Sequence, residues 1–136
     1  MTSTDPVFVV GCGHSGTSLV VRTLSRTGGL WSPQRETNWG MLNTDAECLS
    51  ALTALERDAA ATATAAAPSP RLLEKSPCHD SRLDLIFRLR PAARVIFVVR
   101  DPRDVVASRT LPPRSEPARQ ALRRWIASAG TVTARI

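Results

Sequence analysis

The run Val7-Phe8-Val9-Val10-Gly11-Cys12-Gly13-His14-Ser15-Gly16-Thr17-Ser18 decides the fold of this chain. Four consecutive apolar residues are typical of a strand that is buried on both faces of a parallel sheet. The glycine-rich stretch after them predicts a tight turn, and residues 15–26 predict a helix. A strand, a turn and a helix start in this order direct backbone amides at one point, which favours the binding of an oxyanion.

A second strand of the same kind, at residues 95–99, is followed by Arg100-Asp101-Pro102 and, further along, by Ser108. Asp101 is expected to cap the next helix, with Pro102 at its first position. The planar guanidinium of Arg100 suits a phosphate, and Ser108 lies about two helical turns along, where it could meet the same group. We therefore predict two anion sites and a ligand with two separated anionic groups.

The rest of the chain continues an α/β rhythm. Residues 44–47 have capping-box form, residues 71–74 read as a strand, and residues 80–90 read as a helix. A last helix carries apolar side chains at helical spacing, namely Leu122, Trp125, Ile126 and Ala129. The sequence predicts one α/β domain over residues 1–136, with an open, mostly parallel sheet, flanking helices and ligands at the carboxyl ends of the strands.

The first loop departs at one position from the nucleoside-triphosphate pattern G-x-x-x-x-G-K-[ST]. Gly11, Gly16 and Ser18 fit the pattern, but Thr17 occupies the position of the lysine. That lysine reaches the β- and γ-phosphates of a triphosphate, so the loop is P-loop-like but suited to a shorter group. A P-loop kinase or nucleotide hydrolase is therefore an alternative that Thr17 disfavours.

Three segments, in the same order along the chain, resemble sulfotransferases that use 3′-phosphoadenosine 5′-phosphosulfate (PAPS). Residues 9–19 resemble the 5′-phosphosulfate loop, which usually reads [K/R]-S-G-T-[T/S]-L, and Leu73-Glu74-Lys75-Ser76-Pro77 resembles the E-K-[T/S]-P segment. Residues 100–108 resemble the 3′-phosphate motif R-[D/N]-P-x-D-x-x-x-S. The resemblance implies transfer of a sulfuryl group from PAPS, as co-substrate, to a hydroxyl or amine acceptor without a metal.

The resemblance also implies which residues form the site. The donor-binding residues are Gly13, His14, Ser15, Gly16, Thr17, Ser18, Arg100 and Ser108. His14 stands where the family has lysine or arginine, and a nearby phosphosulfate favours its protonated form, so donor affinity should fall as the pH rises through the histidine range. Lys75 resembles the family lysine that approaches the transferring group.

The general base must take the proton of the acceptor as it attacks sulfur. Arg35-Glu36-Thr37-Asn38-Trp39 resembles the K-E-x-H-F segment of the heparan sulfotransferase branch, whose glutamate is the base. Glu36 is therefore favoured, with His14 and Lys75 as the other catalytic residues. Glu74 and His79 are alternative bases, since both fall near the end of the predicted strand at residues 71–74.

Composition restricts the partners. The net charge of +6 favours anionic ligands, and the few aromatic residues are not interleaved with the arginines as single-stranded nucleic-acid binding requires. Cys12, Cys48 and Cys78 lack C-x-x-C spacing, the first six residues show no secretory pattern, and no segment is long and apolar enough for a membrane span, which together predict a cytoplasmic protein. We expect a small-molecule or glycan acceptor and leave the oligomeric state open.

Two further alternatives follow from the sequence. A zinc module built from Cys12, His14, Cys78 and His79 is conceivable, although the set lacks the usual ligand spacing. The second alternative concerns length, because sulfotransferase domains usually continue well past the 3′-phosphate motif and this chain stops at Ile136. We expect an incomplete sulfotransferase fold that lacks the usual C-terminal portion, and the chain could be a small active enzyme, a fragment or a non-catalytic nucleotide-binding remnant.

Overall fold

A computed structural model describes residues 4–134, so the predicted domain over residues 1–136 extends at both ends into positions that lie outside the described residues. The described part is an α/β structure in which four parallel strands form one sheet with the order β2-β3-β1-β4. The strands are β1 (Val7–Val10), β2 (Leu30–Trp31), β3 (Arg71–Lys75) and β4 (Arg94–Phe97). The predicted parallel sheet is confirmed, while the two-residue β2 has too little periodicity to be predicted from sequence.

Strand β1 lies between β3 and β4, and all four of its residues are buried. Their side chains alternate between the two faces of the sheet, as the twofold period of a strand requires. Phe8 and Val10 pack in the larger core with Leu52 and Ile86, whereas Val7 and Val9 pack with Leu73 in a smaller core on the other face. Burial on both faces explains why the strand is a continuous apolar run.

Five α-helices connect and flank the strands. They are α1 (Thr17–Leu24), α2 (Asp45–Ala61), α3 (Leu83–Leu89), α4 (Pro102–Thr110) and α5 (Ala118–Thr133), with short 3-10 helices at Trp39–Met41 and Pro77–Arg82. The predicted capping box is confirmed at the start of α2, where Thr44 and Glu47 exchange hydrogen bonds with each other's backbone amides. The predicted cap of α4 is also confirmed, because the Asp101 carboxylate accepts a hydrogen bond from the Arg103 amide.

Several predicted elements have different bounds in the structure, including the helix predicted at residues 15–26, which spans Thr17–Leu24. The strand expected at residues 95–99 ends at Phe97, although the Val98 amide still donates to the Val10 carbonyl. Because β4 is an edge strand, its apolar side chains are only partly buried. The helix expected at residues 80–90 begins instead as the 3-10 helix after Ser76 and becomes α-helical at Leu83.

Candidate active site

A cleft of about 1030 Å³ opens beside the loops that follow β1, β3 and β4. Every predicted donor-binding residue except Ser15 lines this cleft, and so do the three predicted catalytic residues Glu36, His14 and Lys75. Parallel strands bring their carboxyl ends to one edge of the sheet, and this is where ligands bind in open α/β folds. The three separate sequence segments therefore meet at a single cavity.

The backbone path of the loop after β1 depends on two glycines, Gly11 and Gly16. Gly11 has a φ of 147°, and a Cβ atom there would lie 2.4 Å from the Val98 carbonyl oxygen. Only glycine allows the ends of β1 and β4 to approach so closely. Gly16, with a φ of 96°, is the N-cap of α1 and supplies no side-chain cap to the first turn of that helix.

His14 links the loop after β1 to α4. Its Nδ1 atom shares a hydrogen bond of 3.1 Å with the Ser108 hydroxyl, and its backbone carbonyl accepts one of 3.2 Å from Arg100 Nη1. These bonds hold His14 at a φ of 72°, which is an uncommon conformation for a residue other than glycine. The two predicted anion sites therefore lie next to each other in one cleft, and these hydrogen bonds join them.

The surroundings of His14 work against its protonation. Partial burial lowers its pKa below the ordinary value of 6.5, and the guanidinium groups of Arg114 and Arg109 lower it further. Glu116 acts in the opposite direction, but it does not outweigh the other causes. A bound anion would have to offset these effects before the imidazole became cationic.

Glu36 and Lys75 form an ion pair at the other side of the loop. Lys75 Nζ lies 2.5 Å from Glu36 Oε1 and donates to the Ser18 hydroxyl at 3.1 Å. The lysine side chain is 14% exposed, whereas the glutamate side chain is 48% exposed and reaches solvent. The pair therefore places a cation and an accessible carboxylate beside the start of α1.

Glu74 and His79 lie in a buried network beneath the cleft, and both side chains are fully buried. The Gly40 amide donates to His79 Nε2, so His79 Nδ1 carries the ring proton and donates to Glu74 Oε2 at 3.2 Å. The other oxygen of Glu74 accepts hydrogen bonds from the Thr37 and Ser76 hydroxyls. Both carboxylate oxygens of Glu74 and both ring nitrogens of His79 are thus bonded inside the protein.

The pKa of Glu74 reflects that network. Burial alone would raise it, but the hydrogen bonds from His79, Ser76 and Thr37 together lower it below its ordinary value. Glu74 is therefore an ionised, fully hydrogen-bonded carboxylate. Such a group can fix the neighbouring segments in place, while the cleft itself is lined by Glu36.

Arg100 and Ser15 both have hydrogen-bonding groups that the described residues do not fully satisfy. The Arg100 guanidinium is 3.6 Å from Asp104 in an exposed pair, which contributes little to stability. The Ser15 hydroxyl is buried and has no hydrogen-bond partner among residues 4–134. Because Ser15 does not line the cleft, the side chain of this pair that faces the space open to an anion is Arg100.

Helix α5 contributes a wall of the cleft that the apolar pattern did not predict. Ala121 and Ser128 are buried, whereas Leu122 and Ile126 are exposed. The Trp125 indole donates to the Arg100 carbonyl and so fixes α5 against the end of β4. The signal in the sequence that was missed is the small size of Ala121 and Ser128, because small side chains allow a helix to pack closely against its neighbours.

The described residues contain neither a cluster of metal ligands nor a membrane-spanning helix. Within residues 4–134 no group of three or more histidine, cysteine, aspartate or glutamate side chains could hold a metal ion. The four residues of the zinc alternative are thus not gathered into such a group. No helix in the same range is long and apolar enough to cross a bilayer.

Comparison with models of known protein families identifies a family to which the chain is similar. A family model described as "Sulfotransferase family" matches residues 36–134, which is more than two thirds of the chain. The matched range begins at Glu36 and includes Lys75, Arg100 and Ser108, whereas the loop after β1 precedes it. No curated protein matches the chain at a significant level of similarity.

Proposed function

Because the chain belongs to the sulfotransferase family, we propose that it transfers a sulfuryl group from PAPS to a hydroxyl or amine acceptor. The observation that carries this proposal is the contact of His14 with Ser108 and Arg100. It brings two anion-binding segments into one cleft, as a nucleotide with a 5′-phosphosulfate and a 3′-phosphate requires. Such a ligand also suits a site without the lysine that binds a triphosphate.

In this proposal the donor binds to the two segments that His14 connects, namely the loop after β1 and the segment after β4. The backbone amides of residues 13–17 and the first turn of α1 bind the 5′-phosphosulfate. Arg100 and Ser108 bind the 3′-phosphate, because both contact His14 and both carry donors that suit phosphate oxygens. His14 lies between the two groups.

The transfer step uses Glu36 and Lys75. The acceptor oxygen or nitrogen attacks sulfur, the bond from sulfur to the 5′-phosphate oxygen breaks, and 3′-phosphoadenosine 5′-phosphate (PAP) leaves. Glu36 takes the proton of the acceptor, since it is an accessible carboxylate of the cleft. Lys75, which already contacts Ser18, stabilises the charge that builds on the leaving oxygen. Glu74 and His79 hold the neighbouring segments in place instead.

Calorimetry with PAP, followed by mass spectrometry of reactions with PAPS and a panel of hydroxyl and amine acceptors, tests the proposal. We expect PAP to bind more tightly than ATP and a product heavier by one sulfuryl group. Glu36→Gln should abolish the product and retain PAP binding. Tighter binding of ATP than of PAP would instead support a kinase or hydrolase, and PAP binding without transfer to any acceptor would support a non-catalytic nucleotide-binding protein.

The remaining expectations about the protein stay proposals. A single domain is compatible with the continuous sheet, and a cytoplasmic location is compatible with the three free cysteines, Cys12, Cys48 and Cys78. A small-molecule or glycan acceptor is compatible with the volume of the cleft. Gel filtration and fractionation of cells that express the protein test these points.

A further inference from the structure

The inner face of α5 forms one side of the cleft, and we call it the α5 wall. It consists of Arg124, Ala127, Ser128 and Thr131, all of which line the cavity. Residues four apart on a helix lie on one face, so Arg124 and Ser128 are neighbours. Neither residue belongs to the segments assigned above to the donor or to the transfer step.

Ser128 is the first sign that the α5 wall binds something. The residue is only 5% exposed, and its hydroxyl is buried and has no hydrogen-bond partner among the described residues. Thr131 differs, because its hydroxyl is satisfied by the carbonyls of Ala127 and Ser128. A buried hydroxyl is costly without a partner, and one that lines a cavity can obtain that partner from a ligand.

The second sign is positive charge on the cleft lining that is only partly paired, on Arg124 one helical turn before Ser128 and on Arg114. Glu116 accepts hydrogen bonds from Arg109 Nε and Arg124 Nε, so its carboxylate occupies only one edge of the Arg124 guanidinium. The terminal amino groups of Arg124 and the whole Arg114 guanidinium have no side-chain partner within residues 4–134. A guanidinium with free N–H groups favours a planar or tetrahedral anion.

The third sign is the balance of charge over the whole cleft. Its cationic lining residues are Lys75, Arg100, Arg109, Arg114 and Arg124, whereas its carboxylate lining residues are Glu36 and Asp80. The donor's two anionic groups account for Lys75, Arg100 and the loop after β1. Arg109 and Arg124 share the single carboxylate of Glu116. Arg114 and the free edge of the Arg124 guanidinium therefore remain available for a third anionic group.

We propose that Arg114, Arg124 and Ser128 bind an anionic group on the acceptor, so that the acceptor carries a carboxylate, phosphate or sulfate besides its reacting hydroxyl or amine. This inference rests on the proposed function, because it assigns the other cations of the cleft to PAPS. A charged acceptor of this kind gains both orientation toward Glu36 and attraction to a cleft of net positive charge. Neutral acceptors lack the second of these contributions.

The first test measures an anion site in protein saturated with PAP. Calorimetric titration with inorganic sulfate should reveal one binding event that weakens about tenfold in Arg124→Gln and in Ser128→Ala, since each change removes a hydrogen bond to a charged group. Glu116→Gln removes the competing carboxylate and should tighten sulfate binding several-fold. Arg119→Gln, on an exposed part of the same helix outside the cleft, is the matched control and should leave sulfate binding unchanged.

The outcomes distinguish a specific anion site from loosening of the helix and from general attraction. Opposite effects of Glu116→Gln and Arg124→Gln cannot arise from general loosening of α5, so they support the proposal. Equal weakening in Arg124→Gln and Arg119→Gln would mean non-specific attraction and would overturn it. Sulfate binding that is lost in Lys75→Met but retained in Arg124→Gln would lie at the transfer position and would also overturn it.

The second test uses paired acceptors that differ in one charge. Methyl glucuronide should compete with sulfate in the PAP-saturated protein, methyl glucoside should not, and Arg124→Gln should abolish the difference. Equal competition by the two sugars would overturn the inference about the acceptor. If the protein still bound PAP in that case, the assignment of the donor site would stand. Failure of the unaltered protein to bind PAP would instead refute the proposed function, and the acceptor inference with it.

Discussion

The replacement Glu74→Gln should destabilise the protein strongly, although it removes no hydrogen-bonding position from the buried network. If the new side-chain oxygen keeps the hydrogen bonds from Thr37 and Ser76, the new amide group faces the Nδ1–H of His79, and two donors meet. A change of His79 tautomer only moves the conflict, because Nε2–H would then face the Gly40 amide. A flip of the introduced amide leaves the hydroxyl hydrogens without acceptors.

The size of the effect follows from these unsatisfied groups. One or two buried donors lose their acceptor in each arrangement, and each loss costs about 1–3 kcal/mol, so we expect a loss of about 2–4 kcal/mol in the free energy of unfolding. Urea denaturation at neutral pH measures it. Glu36→Gln is the matched control, and it should cost less than about 1 kcal/mol because Glu36 is part of a half-exposed ion pair.

The pH dependence gives an independent check on the same reasoning. The pKa of Glu74 is lowered in the folded protein, so its contribution to stability is complete above the ordinary glutamate pKa and is lost as the pH falls through the lowered folded value. The stability difference between the unaltered protein and Glu74→Gln should therefore shrink in acid. A difference that stays constant between pH 7 and 3, or one no larger than that of Glu36→Gln, would refute the buried-carboxylate argument.

Three further predictions concern the cleft. Arg100→Ala should weaken PAP binding at least tenfold and adenosine 5′-phosphosulfate binding little, as calorimetry would show, and equal losses would contradict its assignment to the 3′-phosphate. Because the pKa of His14 is lowered, PAP affinity should be greatest in acid and fall as the pH rises from below 6.5 toward neutrality, and His14→Gln should flatten this profile. A pH dependence that persists in His14→Gln would show that another group titrates. Lys75→Met should lower the single-turnover rate of sulfuryl transfer about 100-fold or more, and an unchanged rate would show that Lys75 does not stabilise the transition state.

The sequence was sufficient to predict the elements that depend on local pattern. The apolar runs that became β1 and β4 and the capping box of α2 are determined by neighbouring residues, and their interpretation required no knowledge of distant contacts. The meeting of the loop after β1 with the segment after β4 was also predictable, because parallel strands place their ends at one edge of a sheet.

Other features could not be predicted because they depend on pairs distant in sequence. Nothing near Gly40 indicates that its amide binds His79, and nothing near Thr37 indicates that its hydroxyl binds Glu74. The sequence alone could not decide between Glu36 and Glu74 as the candidate base, because the two differ in burial: the Glu36 side chain is half-exposed and the Glu74 side chain is fully buried. The position of Ser128 on the cleft could not be predicted for a similar reason, since it depends on the packing of α5 and not on the apolar pattern of that helix.

The contact between Gly11 and the Val98 carbonyl has a consequence for redesign of this protein. This main-chain contact limits how far apart the loop after β1 and the segment after β4 can lie. Under the proposed function, substitutions of loop side chains such as His14 should therefore change how strongly a ligand binds more than how long that ligand must be. Any larger residue at position 11 would force the strands apart and alter the accepted ligand length for every donor at once. A laboratory search for variants with new donor nucleotides should therefore vary the side chains of the cleft and leave position 11 untouched.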